Sequence, residues 1–136
     1  MPESRTVAPR GATKFVVTLL DAVRVCVAYP RAEQLRFRPG PAVALSAARS
    51  EGARRAARDA FGQRRLRRMI AVVDRFAPGG PNCYRRVLWE SLLDPAAAAT
   101  PVIFGLDANA SAGSGHVWFE GRESPSPERY AARFSL

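Results

Sequence analysis

The sequence predicts an α+β fold on three observations. Apolar residues recur with helical spacing up to about residue 93, a Pro/Gly cluster at 77–82 interrupts that pattern, and short apolar runs bounded by turn residues follow from residue 101. At 136 residues a single domain is expected, long enough to bury one core. It divides into an arm at 1–12, a helical region at 13–77 and a core at 78–136 that carries the chemistry.

Residues 1–12 hold Pro2, Pro9 and Gly11 and read as a mobile arm. A first helix is expected from about Thr13 to Ala28, with Phe15, Leu19, Val23 and Cys26 on one face and Tyr29-Pro30 as its end. On that face Cys26 reads as a small buried hydrophobe. Pro39-Gly40-Pro41 marks a loop. From Val43 to Phe76 the spacing fits two helices or one irregular helix. Gly52 and Gly62 weaken it, and Leu66, Met69, Ile70, Val73 and Phe76 form its apolar side. A further helix is expected over Cys83–Leu93, with Asn82 as N-cap and Asp94-Pro95 as its stop. Residues 96–100 are a connector. Pro101–Leu106 reads as a strand, 107–115 as a hairpin loop and His116–Glu120 as a second strand. Tyr130, Ala131 and Phe134 suggest a short last strand, and Trp89 and Trp118 read as core side chains.

Charge is lopsided. There are 21 basic residues against 12 acidic ones, a formal +9, and Lys14 is the only lysine. Such a balance points to acidic partners. High Arg with high Ala also fits the coding bias of a GC-rich genome. The excess is local: nine arginines lie between Arg49 and Arg75, five of them opposite the apolar stripe. A solvated helical face is the plainest reading, and docking of an acidic peptide or protein the next. Nucleic acid fits less well, because interleaved aromatics, a recognition-helix pattern and zinc-finger spacing are all missing. A hydrophobic content of 47% excludes disorder throughout. The first apolar stretch carries Asp21 and Arg24, which argues against a membrane span or signal peptide. Two cysteines do not make a secreted disulfide framework, so a cytoplasmic protein with free thiols is expected. One histidine and two cysteines do not fill a structural zinc site, and no cofactor is expected.

Cys83 falls at the predicted first turn of a helix, straight after a Pro/Gly loop. Unpaired N–H groups and the helix dipole favour an anion there, and therefore a thiolate. The same N–H groups can receive an oxyanion. His116, the sole histidine, opens a strand 33 residues later, and its imidazole is the natural general base for such a thiol. Cysteine on a helix start followed by histidine on a strand is the order used by papain-like and transglutaminase-like enzymes.

At this point the residues resemble one family in particular. Asn82-Cys83 followed by Arg86 and an apolar helix is similar to the N-C-L-x-R-S/A-L segment of the transglutaminase-like leader peptidases of lasso-peptide maturation. Val102–Leu106 resembles that family's strand ending in I-G-V or L-G-L. Gly115–Glu120 resembles its A-H-A-W-V-E segment, and Glu128-Arg129-Tyr130 its closing E-R-Y. Two departures stand out. Val117 replaces a small residue, and no Asp follows Asp107, whereas the family orients its histidine with an Asp on the strand after it. Glu128, 12 residues beyond His116, is the candidate replacement on a facing strand, although Pro125 and Pro127 would distort it. Glu120 lies roughly 13 Å further along the histidine's own strand.

The resemblance implies a cysteine peptidase with a transglutaminase/papain-like core, a cysteine-bearing helix packed on a small antiparallel sheet carrying histidine. Its substrate would be a ribosomally made precursor peptide, presented by a leader-recognition protein and passed on to a cyclase. Two other readings accompany it: a catalytically inactive relative serving as an interaction module, and a nucleic-acid binder driven by charge.

Overall fold

The computed structural model describes residues 10–107, 115–122 and 130–136. Five helices precede and support a three-stranded sheet: α1 (Arg10–Arg36), α2 (Pro41–Gly52), α3 (Ala60–Arg75), α4 (Cys83–Leu93), α5 (Pro95–Ala98), β1 (Val102–Asp107), β2 (Gly115–Phe119) and β3 (Tyr130–Ser135). The strand order is β2-β1-β3, all antiparallel, with β1 in the middle. The α+β expectation holds at this level. Among the described residues no helix is long and apolar enough to cross a membrane.

Local chemistry explains most boundaries. Gly40 sits at φ 85° before α2, a backbone region glycine enters freely, and Pro41 occupies the first helical turn. Asp59 caps α3 by accepting from the Gly62 N–H at 2.6 Å. Asn82 caps α4 as expected, accepting from the Arg85 N–H at 2.8 Å. Asp94 ends α4 and caps α5, where Pro95 takes the first position; the expected connector is thus a short helix. The Val43–Phe76 region resolves into two helices. Gly52 closes the first because α2 crosses α4 there: a Cβ at this position would lie 1.8 Å from the Ser91 carbonyl oxygen.

The first helix departs most from expectation. It begins by Arg10, within the expected arm, whose residues 1–9 lie outside the described set. It also runs through Pro30 to Arg36. A helix-interior proline typically costs about 3 kcal/mol. Here the turn beyond it buries Ala32 and Leu35 completely and carries Glu33, which pairs with Arg36 and Arg85, so packing holds the helix together. The buried face is also rotated from the expected one. Asp21, Val25, Ala32 and Leu35 point inward, whereas Phe15, Leu19, Val23 and Cys26 are exposed. A helix that is apolar around most of its circumference does not specify its buried side. Asp21 selects it by ion-pairing with Arg58 and Arg65 at 2.8 and 2.7 Å. Phe76, expected on the apolar side of α3, is exposed because the buried line runs Leu66, Ile70, Asp74.

The core centres on Trp89, which is fully buried and donates its indole N–H to the Val25 carbonyl at 3.0 Å. Leu35, Leu45, Leu66, Leu88 and Leu92 surround it, and Val102 and Phe119 contribute from the sheet. Trp118, expected in the core, is only half-buried, since the strand alternation that buries Phe119 turns Trp118 to the other face.

The α2–α4 crossing yields a direct expectation. Gly52→Ala forces backbone to shift and should destabilise the chain by about 1–3 kcal/mol in urea unfolding. Gly11→Ala, in open helical space, should leave stability unchanged or raise it by up to about 1 kcal/mol. Equal midpoints for the two variants would contradict the packing described.

Candidate active site

Cys83 is placed by a buried network of charges. Gly79 and Gly80 both have positive φ, 81° and 75°, which turns the chain back after α3 and delivers Asn82 in an extended conformation. The Asn82 N–H donates to Asp74 Oδ2 at 3.0 Å. Asp74, at the end of α3, has no solvent exposure. It also accepts from Arg85 Nε at 2.6 Å and Arg86 Nε at 2.5 Å. Arg85, itself 1% exposed, reaches Glu33 of α1 at 2.8 Å and the Gly80 carbonyl at 2.6 Å. Burial alone would raise the Glu33 carboxyl, but hydrogen bonds from Arg36 and Arg85 outweigh it and hold it below its ordinary value. Burial likewise opposes the charge on Arg85, and Glu33 and Asp74 overcome it, leaving the guanidinium more firmly protonated than usual. The first turn of α4 is therefore tied to α1, α3 and the glycine loop at once.

Within that turn Cys83 is half-buried and unbridged. Among the described contacts the N–H groups of Cys83 and Tyr84 have no protein acceptor, as expected for the first helical turn. Tyr84 packs on Phe104 of β1 with ring centroids 5.8 Å apart.

His116 lies at the same end of α4. Phe104 is the register partner of Val117, so the Tyr84–Phe104 contact brings the start of β2 to the start of the helix. At the other end Arg122, just past β2, binds buried Glu90 of α4 through two hydrogen bonds of 2.9 and 2.8 Å. β2 therefore runs alongside α4, and its first residues lie at the Cys83 end of the helix. Burial, and then the positive field of Arg86, lower the His116 pKa from its ordinary value of 6.5. Both effects favour the neutral ring, the form that can accept a proton.

Among the described contacts none is a hydrogen bond between the Cys83 thiol and the His116 ring; His116 has interactions of its own. Val117 and Phe119 face the core and α4, whereas His116 and Trp118 share the opposite face of β2, their rings stacked with centroids 5.7 Å apart. The expected facing strand is also corrected. β3 pairs with β1, not with β2, and Gly105 separates His116 from Arg133 in register. Two strand spacings, roughly 10 Å, thus intervene between the histidine strand and β3. Glu128 lies outside the described residues, as does Glu123, and Glu120 is exposed. Among the described residues no three His, Cys, Asp or Glu side chains converge as metal ligands.

The positioning residues Asp74, Arg85 and Glu90 escaped the sequence reading. Asp74 had one usable signal. It falls four residues after Ile70 and eight after Leu66, an acid in line with an apolar stripe.

Arg86→Gln should raise the His116 pKa part of the way towards 6.5, followed through the single histidine Cε1–H resonance by NMR titration. The sign for stability follows. The folded value lies below the unfolded one, so the unfolded chain binds the proton first. The contribution is complete above about 6.5 and is lost as pH falls through 6.5 towards the folded value. Arg86→Gln should weaken that acid sensitivity. An unchanged or lowered His116 titration would contradict the proximity of Arg86. No protein-family model, curated protein or solved structure matches the chain.

Proposed function

We propose that this chain is a cysteine peptidase, with Cys83 as nucleophile and His116 as general base, in which residues 78–136 form a transglutaminase-like core. The observation that supports it is positional. The thiol sits at a capped helix start held by buried charges, and an imidazole whose burial favours its neutral form begins the strand that runs along that helix.

The chemistry follows from the groups present. His116 takes the thiol proton, and the Cys83 sulfur attacks a peptide carbonyl to form a tetrahedral adduct. The free N–H groups of Cys83 and Tyr84 are suited to hold its oxyanion. His116 then protonates the departing amine, leaving a thioester. Water, deprotonated by His116, hydrolyses the thioester, and the proton returns to the thiol. On this reading the His116 ring, stacked on Trp118 in the free chain, turns to the thiol when substrate binds. The motif likeness extends the proposal to the substrate, a ribosomally made precursor whose leader is removed in the cytoplasm, with a recognition protein and a cyclase as partners.

A second reading is supported by a specific observation: the His116 ring stacks on Trp118, with which it shares a face of β2. On that reading the same fold is a non-catalytic interaction module.

Exposed Cys26 supplies an internal reference for telling the two apart. With limiting iodoacetamide at pH 7 and peptide-level mass spectrometry, the peptidase reading expects half-buried Cys83 to react at least about tenfold faster than Cys26, and His116→Ala to remove the advantage. Cys83 reacting no faster than Cys26 would favour the interaction module.

A further inference from the structure

A groove beside α1 carries an arginine rim over an apolar floor. Its larger part is a cavity of about 740 Å³ where α1, the 53–59 turn and the start of α3 meet. Five arginines line it against a single aspartate, Asp59, whose carboxylate is occupied in capping α3. Arg58 and Arg65 are held by buried Asp21 beneath them. Arg54 and Arg55 are exposed and, among the described contacts, form no ion pair. A second cavity of about 370 Å³ continues the groove; it shares Arg24, Arg55 and Leu93 with the first and adds Val23, Val27, Leu92 and the ion pair of Arg31 with Glu51. Val23 and Val27 are 52% and 73% exposed, and Phe61 at the other end is 59% exposed.

The lining decides what fits. Two exposed guanidiniums, beside an Arg24 that pairs with Asp21 at 3.5 Å, favour an anionic ligand, and planar forks of this kind match carboxylates bidentately. The aliphatic floor requires apolar side chains at the same time. A second copy of this chain is disfavoured, since it would bring its own +9. A nucleic-acid strand would use stacking platforms, and among the described residues Phe61 is the only aromatic one lining the groove. We propose that this groove is a docking site for an acidic, amphipathic peptide segment. Its carboxylates meet Arg24, Arg54 and Arg55, and its apolar side chains rest on Val23, Val27 and Leu92. The groove borders the C-terminal end of α4, roughly 15 Å along the helix from Cys83, and is independent of whether Cys83 is catalytic.

The test is fluorescence anisotropy on the full chain. The probe is a short labelled peptide of alternating Leu and Glu; a Leu/Lys peptide and a single-stranded oligothymidylate serve as comparisons. Saturable binding of the Leu/Glu peptide is expected. It should weaken at least about tenfold in an Arg54→Glu/Arg55→Glu variant and severalfold in Val23→Ser/Val27→Ser, with the Cys83-to-Cys26 alkylation ratio unchanged in both. All four residues are exposed, so circular dichroism should match the parent chain. Absence of saturable binding, or indifference to charge reversal, would overturn the site. So would oligothymidylate binding as tightly as the peptide regardless of the valine changes.

Discussion

A carboxylate with no access to water governs this molecule. Asp74 ends α3, and an isolated buried charge there would cost several kcal/mol. It persists because two guanidiniums and one backbone N–H converge on it. Arg85 is nearly as buried, so neither partner can be removed without stranding the other, a loss of about 3–5 kcal/mol in comparable pairs. Relative to apolar side chains of the same volume such a cluster adds little stability. What it provides is registration: the end of α3, the glycine turn, the N-cap of α4 and Glu33 of α1 can meet around Asp74 in only one arrangement. The position of Cys83 is a consequence of that arrangement.

The same device recurs. Asp21 anchors α1 to Arg58 and Arg65, and Glu90 anchors α4 to Arg122 beyond β2. Arg49 donates to the carbonyls of Thr100 and Leu136, tying α2 to the chain's last residue. Part of the arginine excess is therefore internal framework rather than solvated face. Among the described residues, Arg54 and Arg55 on the 53–59 turn and Arg64, Arg68 and Arg75 on α3 are exposed.

The core-forming half of α4 was legible because several local signals agree: Asn82 as cap, a Pro/Gly turn before it, Asp94-Pro95 after it, and Val87, Leu88 and Leu92 at helical spacing. The strands were legible from short apolar runs, each within about a residue of its expected ends. α1 was not. Pro30 carries a strong local stop signal, and only tertiary burial of Ala32 and Leu35 overrides it. Its inward face was misread for a related reason: the deciding residue is an aspartate whose partners lie 37 and 44 positions away. Cys26 became exposed through the same rotation. The pairing of β3 with β1 is likewise a long-range choice on which the spacing of Glu128 and His116 is silent. Cys83 and His116 were singled out from composition and position, but the residues that hold Cys83 in place were not, because ion pairs between distant helices leave little periodic trace.

Amide hydrogen exchange across 82–87 tests the central role of Asp74 most directly. In Asp74→Asn, with the remaining helices still folded, protection of the Arg85 and Arg86 amides at the start of α4 should fall sharply, while the Trp89 region stays protected. Unchanged protection at Arg85 and Arg86 in a folded Asp74→Asn protein would contradict the claim that this carboxylate fixes where α4 begins.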